Sequence, residues 1–422
     1  MISRRKPIPV SEAIEKVVQT VRATGTEDIP LDEAYGRTLA EPIIATHNVP
    51  PFNRSPYDGF AIRSVDSEGA SSSNRVTFKV IDHIGAGDVS SQWLQANEAV
   101  RIMTGAQIPE NADAVVMFEV TKEEERSDGQ YFSIQKPFKK NENVSMQGED
   151  AKKGEVLIEE GAYIHPGVIA LLATFGYAKV EVSKIPTVGV FATGSELVEV
   201  DEPLEPGKIR NSNGAMIRAQ LKRTGVRVLD FGKLHDDEDL CFTQVQSALD
   251  KVDALITTGG VSVGDYDYLP AIYERLNADV LFNKIAMRPG SVTTVAHVEG
   301  KLLFGLSGNP SACFVGFELY ARTALLKMMQ ASKPYLPYQK ATLLEDFKKA
   351  NPFTRFIRAI YWADEQGQYV VPAGFNKSNA VSSLARSNAF IVLPSGTRGF
   401  VKGNEVDVLM LGIEEGSAVW QL

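Results

Sequence analysis

The richest stretch for chemistry is Thr257-Thr258-Gly259-Gly260-Val261-Ser262-Val263-Gly264-Asp265-Tyr266-Asp267. An apolar run, Ala254-Leu255-Ile256, leads into two adjacent glycines, then Gly264, Asp265 and Asp267. A buried strand ending in such a turn brings backbone N–H groups against a ligand with no side chain in the way, which suits a phosphate. The two aspartates just past the turn could hold a divalent cation against that anion. Taken alone, a Gly-Gly pair reads as a plain strand-to-helix connection, and the other motifs argue against that reading here. Four other turns carry acidic or hydroxyl groups of the same kind. They hold Asp58 in Ser55-Pro56-Tyr57-Asp58-Gly59, Thr104 in Met103-Thr104-Gly105-Ala106, Glu196 in Thr193-Gly194-Ser195-Glu196, and Asp236 in Leu234-His235-Asp236-Asp237.

Glu196, Asp236 and the Asp265/Asp267 pair each follow an apolar run of one α/β pattern, so their carboxylates can converge at one sheet edge. Converging carboxylates repel, and Mg2+ relieves the repulsion. Asp236 and Asp237 by themselves read as helix caps, and Glu196 as a first-turn acidic residue. Lys284 and Arg288 lie four apart, which on an alternating strand puts both on one side, where they would offer positive potential to an oxyanion or phosphate. Ser307-Gly308-Asn309-Pro310 reads as a strand-to-helix turn with proline at the helix start, a further anion site.

Several elements must position these groups. Ile14, Val17, Val18 and Val21 recur at helical spacing after Ser11, a candidate N-cap, and a short helical piece is expected near Leu31. Pro50, Pro51 and Pro56 make the Asp58 segment a stiff extended loop. From about residue 75 to 160 short strand-like runs (76–84, 114–120, 131–134) alternate with turns, and the charged run Lys122–Arg126 suits a solvated hairpin end. From Pro186 onward strands and helices alternate. Strands are expected at 187–191, 226–231, 254–258, 280–285 and 302–306, and helices at 213–223, around 242–252 and from Pro310 to about Met329. That order implies a parallel sheet covered on both faces, with ligands at the C-terminal ends of its strands. Beyond Pro334 and Pro337 the chain is again β-rich with glycine turns and suits a small closed or rolled sheet.

Composition narrows the classes. At 422 residues the chain needs two to four domains, and 44% hydrophobic with 23% charged residues is that of a globular protein. A net charge of −9 speaks against nucleic acid as a partner, so an anionic ligand requires locally gathered cations. Two separated cysteines and five scattered histidines suit a reducing, cytoplasmic setting without a structural metal. No membrane span or leader is expected, since no apolar run reaches ~18 residues.

Together the motifs resemble the molybdopterin molybdenumtransferase family, whose relatives include the E domain of gephyrin. The resemblance rests on 50–61, 101–106, 112–116, 148–150, 189–197, Asn211-Ser212-Asn213, 258–267, Gly308-Asn309-Pro310, and Ser382-Ser383-Leu384-Ala385 with Asn388. It implies a multidomain α/β plus β protein. The central doubly wound α/β domain binds molybdopterin, the N-terminal domains are β-rich, and a small β-barrel lies at the C-terminus. The expected divisions are 1–27 as a helix packing on the α/β domain, 28–46 with 150–185 as an extended linker domain, 47–149 as a β-rich insertion, 186–332 as the α/β domain, and 333–422 as the barrel.

The resemblance also implies a homodimer inserting molybdate into adenylylated molybdopterin, with Mg2+-dependent release of AMP. It places catalytic function on Asp58, Thr104, Glu196, Asp236, Asp267, Lys284 and Arg288, and metal binding on Glu196, Asp236, Asp265 and Asp267. Substrate contacts fall on Thr193, Gly194, Ser195, Gly259, Gly260, Val261, Ser262, Gly264, Pro289, Gly290, Ser307, Gly308 and Asn309, with Arg358, Ser382 and Ser383 from the last domain. Asp58 and Thr104 are expected to complete the site of the other chain. Where the family commonly reads Lys-Pro-Gly-Lys-Pro this chain reads Arg288-Pro289-Gly290-Ser291-Val292, and Ser307 replaces a common proline. A molybdopterin adenylyltransferase, which also stands as a possible partner, and a gephyrin-like scaffold are the alternative readings.

Overall fold

The computed structural model describes residues 6–260 and 268–412. The chain divides into two compact units, one drawn from Met1–Glu41, Glu160–Pro166 and Lys179–Leu422, the other from Pro42–Glu159 and Gly167–Ala178.

The larger unit centres on a six-stranded sheet. Its order is Arg227–Lys233, Thr187–Ala192, Ala254–Thr258, Lys301–Leu306, Thr294–Val298, Asp279–Phe282. The first four strands run parallel. Ala254–Thr258 is buried at every position, as a strand covered on both faces must be. One face is packed by Val10–Thr20, Ser212–Thr224 and the helical stretch from Pro310, through Ala13, Val17, Ile217, Leu221, Val315 and Phe317. Glu238–Leu249 and Leu269–Arg275 cover the other face through Cys241, Val245, Leu249, Leu269 and Ile272. The sheet is therefore doubly wound.

Several local expectations are corrected. The sheet is mixed: Thr294–Val298 runs antiparallel between Lys301–Leu306 and Asp279–Phe282. Its hairpin turns on Glu299-Gly300, both at positive φ (51° and 87°), the geometry that matches strand twist in a two-residue loop. The strand expected at 280–285 ends at Phe282, because the chain then leaves the sheet and Ile8 N–H donates to the Lys284 carbonyl at 3.2 Å. Arg288 sits on a separate two-residue strand, Met287–Arg288, paired with Thr354–Asp364. Lys284 and Arg288 thus share no strand face. Ser11 does not cap the first helix, which starts at Val10 behind Pro9. The stretch from Pro310 is two α-helical segments, Pro310–Gly316 and Arg322–Met328, joined by a wider π-turn at Phe317–Ala321. That turn carries the fully buried Glu318, whose carboxylate accepts from Gln220 Nε2 at 2.7 Å and from Arg223.

Five strands of the C-terminal region close into a ring: Thr354–Asp364, Gly367–Pro372, Tyr338–Leu343, Glu405–Met410, Ala389–Leu393 and back to Thr354–Asp364. Alternate residues fill it, among them Ala341, Leu343, Ile357, Ala359, Ile391, Leu393 and Val408. The expected barrel is present.

The smaller unit holds a second six-stranded sheet, ordered Ala114–Met117, Gly59–Ile62, Glu98–Ile102, Val76–Ile84, Gly129–Ile134, Lys122–Arg126. Phe132 stacks between Phe60 and Phe78 at 3.9 and 5.2 Å. A Cβ on Gly59 would meet the Val116 carbonyl oxygen at 2.2 Å, so only glycine fits there. The strand expected over 114–120 stops at Met117, and Phe118–Val120 forms a 3-10 turn. Lys122–Arg126 is itself the edge strand, exposed along its whole length.

Candidate functional site

At the C-terminal ends of the parallel strands lies a cavity of 730 Å³. The turns after four strands line it. They are Thr193-Gly194-Ser195-Glu196, Leu234-His235-Asp236, Thr258-Gly259-Gly260 and Ser307-Gly308-Asn309. Chain connections leave Thr187–Ala192 in opposite directions across the sheet, so the cavity sits at the topological switch point.

The glycine pair is explained by close approach. Gly259 has φ +89°, and a Cβ there would lie 2.6 Å from Thr193 Oγ1 and 2.8 Å from the Thr193 carbonyl oxygen. Its N–H is not bare, as the sequence suggested, since it donates to Leu306 O at 2.9 Å and extends the strand ladder by one residue. Gly194, at φ +133°, leaves room for the Glu196 carboxylate. Glu196 stands in a turn before the short strand Leu197–Val198, so it is not a first-turn helical residue. Asp237 takes the helix cap, accepting from Leu240 N–H at 2.9 Å, which leaves the exposed Asp236 to the cavity wall. Cys241 shares that wall, where burial first and Asp236 second push its thiol pKa up and keep it neutral.

Asn211 and Asn213 are among the site residues that escaped the chemical reading of the sequence. Asn211 caps helix Ser212–Thr224 by accepting from Gly214 N–H at 2.9 Å. Asn213 Nδ2 donates to Gly308 O at 2.8 Å and so ties that helix to the 307–309 turn. Their signal was the Asn-Ser-Asn triplet at a helix start, quoted above only for resemblance.

Among the described residues no three Asp, Glu, His or Cys side chains gather into a metal site. Glu196 and Asp236 nonetheless share the cavity wall. Two hard oxygen donors suit Mg2+, which takes one or two carboxylates and fills its shell with phosphate oxygens and water. Val261, Ser262, Gly264, Asp265 and Asp267 lie outside the described residues.

A second cavity of 450 Å³ adjoins the first, with Val292, Ser307 and Asn309 in the walls of both. Pro289, Gly290 and Ser291 line it, and Arg288, Arg355, Arg358 and Lys377 bring four cations with no carboxylate among the described lining residues. Arg358 is 1% exposed. Its Nη2 donates to Lys377 O at 3.0 Å and Phe375 O at 3.3 Å, and Ser383 Oγ accepts at 3.3 Å. Burial lowers the pKa of Arg358 to about 10. Ser383 acts here by holding Arg358, and Ser382 beside it is exposed. Lys284 lines neither cavity.

In the smaller unit Thr104 donates from N–H and Oγ1 to Asp58 Oδ1, at 2.7 and 2.8 Å. These bonds, the backbone one foremost, hold the Asp58 carboxyl below its usual range. Both residues are exposed, so the pair is a preset carboxylate at the unit's surface.

An open α/β sheet with its cavity at the switch point, and a cationic cavity shared with a small barrel, defines a multidomain α/β protein built for small anionic ligands. Comparison with known proteins narrows this class. Residues 8–176 match the "MoeA N-terminal region (domain I and II)", 189–327 the "Probable molybdopterin binding domain", and 340–411 the "MoeA C-terminal region (domain IV)". A molybdopterin molybdenumtransferase of Staphylococcus epidermidis is 56% identical over 409 residues, covering 97% of each chain. One from Staphylococcus aureus is 56% identical over 410 residues, again covering 97% of each. The crystal structure of the molybdopterin biosynthesis moeA protein from Pyrococcus horikoshii superposes with a TM-score of 0.82 at 31% identity, covering 96% of this chain and 100% of that one. The chain belongs to the molybdopterin molybdenumtransferase (MoeA) family.

Proposed function

We infer that this chain is a transferase of molybdenum cofactor biosynthesis that inserts molybdenum from molybdate into molybdopterin. The single observation that carries the reading is the pair of adjoining cavities. One, with two acidic side chains and a glycine turn, suits an extended phosphorylated ligand. The other, with four cations and no acid among its described lining residues, suits a tetrahedral oxyanion. Their shared wall at Ser307 and Asn309 lets the oxyanion meet the end of the larger ligand.

The finer reading is that the pterin substrate arrives adenylylated and that AMP leaves during insertion. The phosphoanhydride P–O bond breaks, AMP carries away the new oxygen, and molybdopterin keeps its own phosphate. Glu196 orients the attacking oxygen, from water or molybdate. Thr193, Gly194, Ser195, Gly259, Gly260, Gly308 and Asn309 bound the pterin and its phosphates. Arg288 and Arg358, with the backbone of Pro289 and Gly290, hold the oxyanion. Mg2+, held by Asp236 and Glu196 together with Asp265 and Asp267, would neutralise charge on the anhydride. Lys284, which lines neither cavity, adds only its positive charge to this reading. A homodimer, a cytoplasmic setting and docking with the adenylyltransferase that supplies substrate complete the proposal.

The test is release of AMP and incorporation of molybdenum from adenylylated molybdopterin. Asp236→Asn and Glu196→Gln should each reduce both by at least about a hundredfold. Their melting should shift by no more than ~1 kcal/mol equivalent, because exposed loop-end carboxylates add little to a core. Wild-type turnover in both variants would overturn the assignment.

A further inference from the structure

The cationic cavity contains a contact that is unfavourable as it stands. Met287–Arg288 pairs parallel with Thr354–Asp364, and Arg288 is the register partner of Arg355. Register partners on neighbouring strands lie about 4.8 Å apart and project to the same side. Like charges so placed repel and destabilise the pair. Both arginines line the 450 Å³ cavity, with Arg358 and Lys377 beside them and no acidic residue among its described lining residues. Arg355 is itself held in place: its Nε donates to Asn351 Oδ1 at 2.9 Å, and its guanidinium carbon lies 5.2 Å from the Phe347 ring centre. Arg288 lies 5.8 Å over Phe353. Aromatic faces back both cations, and among the described residues neither is paired with a carboxylate. The repulsion is felt in titration as well, since burial first and Arg288 second lower the Arg355 pKa.

We propose that Arg288 and Arg355 form a cross-strand two-guanidinium clamp, in which Arg355 is the residue that selects a doubly charged tetrahedral oxyanion over a singly charged one. This rests on the reading of the cavity as the oxyanion site. Two parallel forks present more N–H donors than one and match the oxygen spacing of a tetrahedral anion. A dianion cancels both charges, whereas a monoanion leaves one unbalanced. Occupancy also relieves repulsion across the pairing of Met287–Arg288 with Thr354–Asp364, so the anion staples that segment to the barrel.

The experiment titrates the full chain with molybdate and with perrhenate, a tetrahedral monoanion, by calorimetry, in wild type, Arg355→Gln and Arg355→Lys. Wild type should prefer molybdate. Arg355→Gln should bind molybdate at least about tenfold more weakly while perrhenate changes less than about threefold, collapsing the preference. Arg355→Lys, which keeps charge and loses the fork, should fall between the two. Without anion, Arg355→Gln should melt no lower than wild type, because one half of a repulsive pair is gone. Wild type that binds molybdate alongside an Arg355→Gln variant that binds it equally overturns the clamp and leaves the site reading standing. Wild type that binds no molybdate overturns both. Should Arg355→Gln fail to fold, unchanged molybdate affinity in Arg355→Lys overturns the fork.

Discussion

The glycine and aspartate positions show how far single residues can be read. Gly259 was legible as a glycine that mattered, and its reason was not. It serves a backbone crowded against Thr193 rather than a free N–H cradle. A Gly259→Ala variant should lose about 1–3 kcal/mol, the range for a side chain forced to positive φ, with the steric contact adding to it. Denaturant unfolding measures this, and an unchanged midpoint would remove the close-approach argument. Asp236 and Asp237 looked equivalent in sequence because both suit a helix start. Only the backbone decides that Asp237 caps and Asp236 faces the cavity. Arg355 was invisible as a site residue, since its register opposite Arg288 depends on a two-residue strand too short to leave a pattern.

Elements with long apolar runs were legible because burial on both faces leaves an unmistakable composition. Ala254–Thr258 and Lys301–Leu306 fall where the sequence put them, and Gly225 stops Ser212–Thr224 at φ +81°. Thr294–Val298 escaped because its antiparallel hairpin breaks the strand-helix alternation. Its only flag was Glu299-Gly300, a weak turn signal. The π-turn carrying Glu318 left no flag either. Burial, opposed by Arg223, raises the Glu318 pKa above its usual 4.5. A carboxyl raised on folding contributes stability below pH 4.5 and loses it as pH climbs through the folded value. Glu318→Gln should therefore flatten the fall in unfolding free energy from pH 4.5 toward neutrality. An unchanged slope in urea titrations across that window would sink the idea.

At the scale of the molecule the doubly wound sheet and the barrel were both expected, because strand-helix order and glycine-punctuated β runs are global patterns. The place of Asp58 and Thr104 is a different matter, since the role proposed for them rests on a second chain. In a two-fold dimer the same contact occurs twice. If Asp58 of one chain serves the other chain's site, mixing inactive Asp58→Ala and Asp236→Ala subunits should restore AMP release, to at most about half of wild type in each hybrid. One site would then carry both lesions and the other neither. Hybrid dimers without activity would place both residues in one chain's site.

The interrupted layout of the larger unit governs how the chain is made. Helix Val10–Thr20 leaves the ribosome early, yet it packs against Asp279–Phe282, Phe317–Ala321 and Arg322–Met328, which are synthesised far later. Between them in sequence runs the main segment of the smaller unit, Pro42–Glu159, whose ends are held side by side by pairing of Ile43–Ile44 with Val156–Ile158. Closing a loop of that length as loose chain would cost roughly 4 kcal/mol in entropy. A smaller unit that folds as it emerges cancels most of that cost before the first half of the sheet exists. It delivers Leu39 to Gly161, whose N–H donates to the Leu39 carbonyl at 2.8 Å, and so presents the waiting helix to its late partners. The order of synthesis thereby becomes an order of assembly.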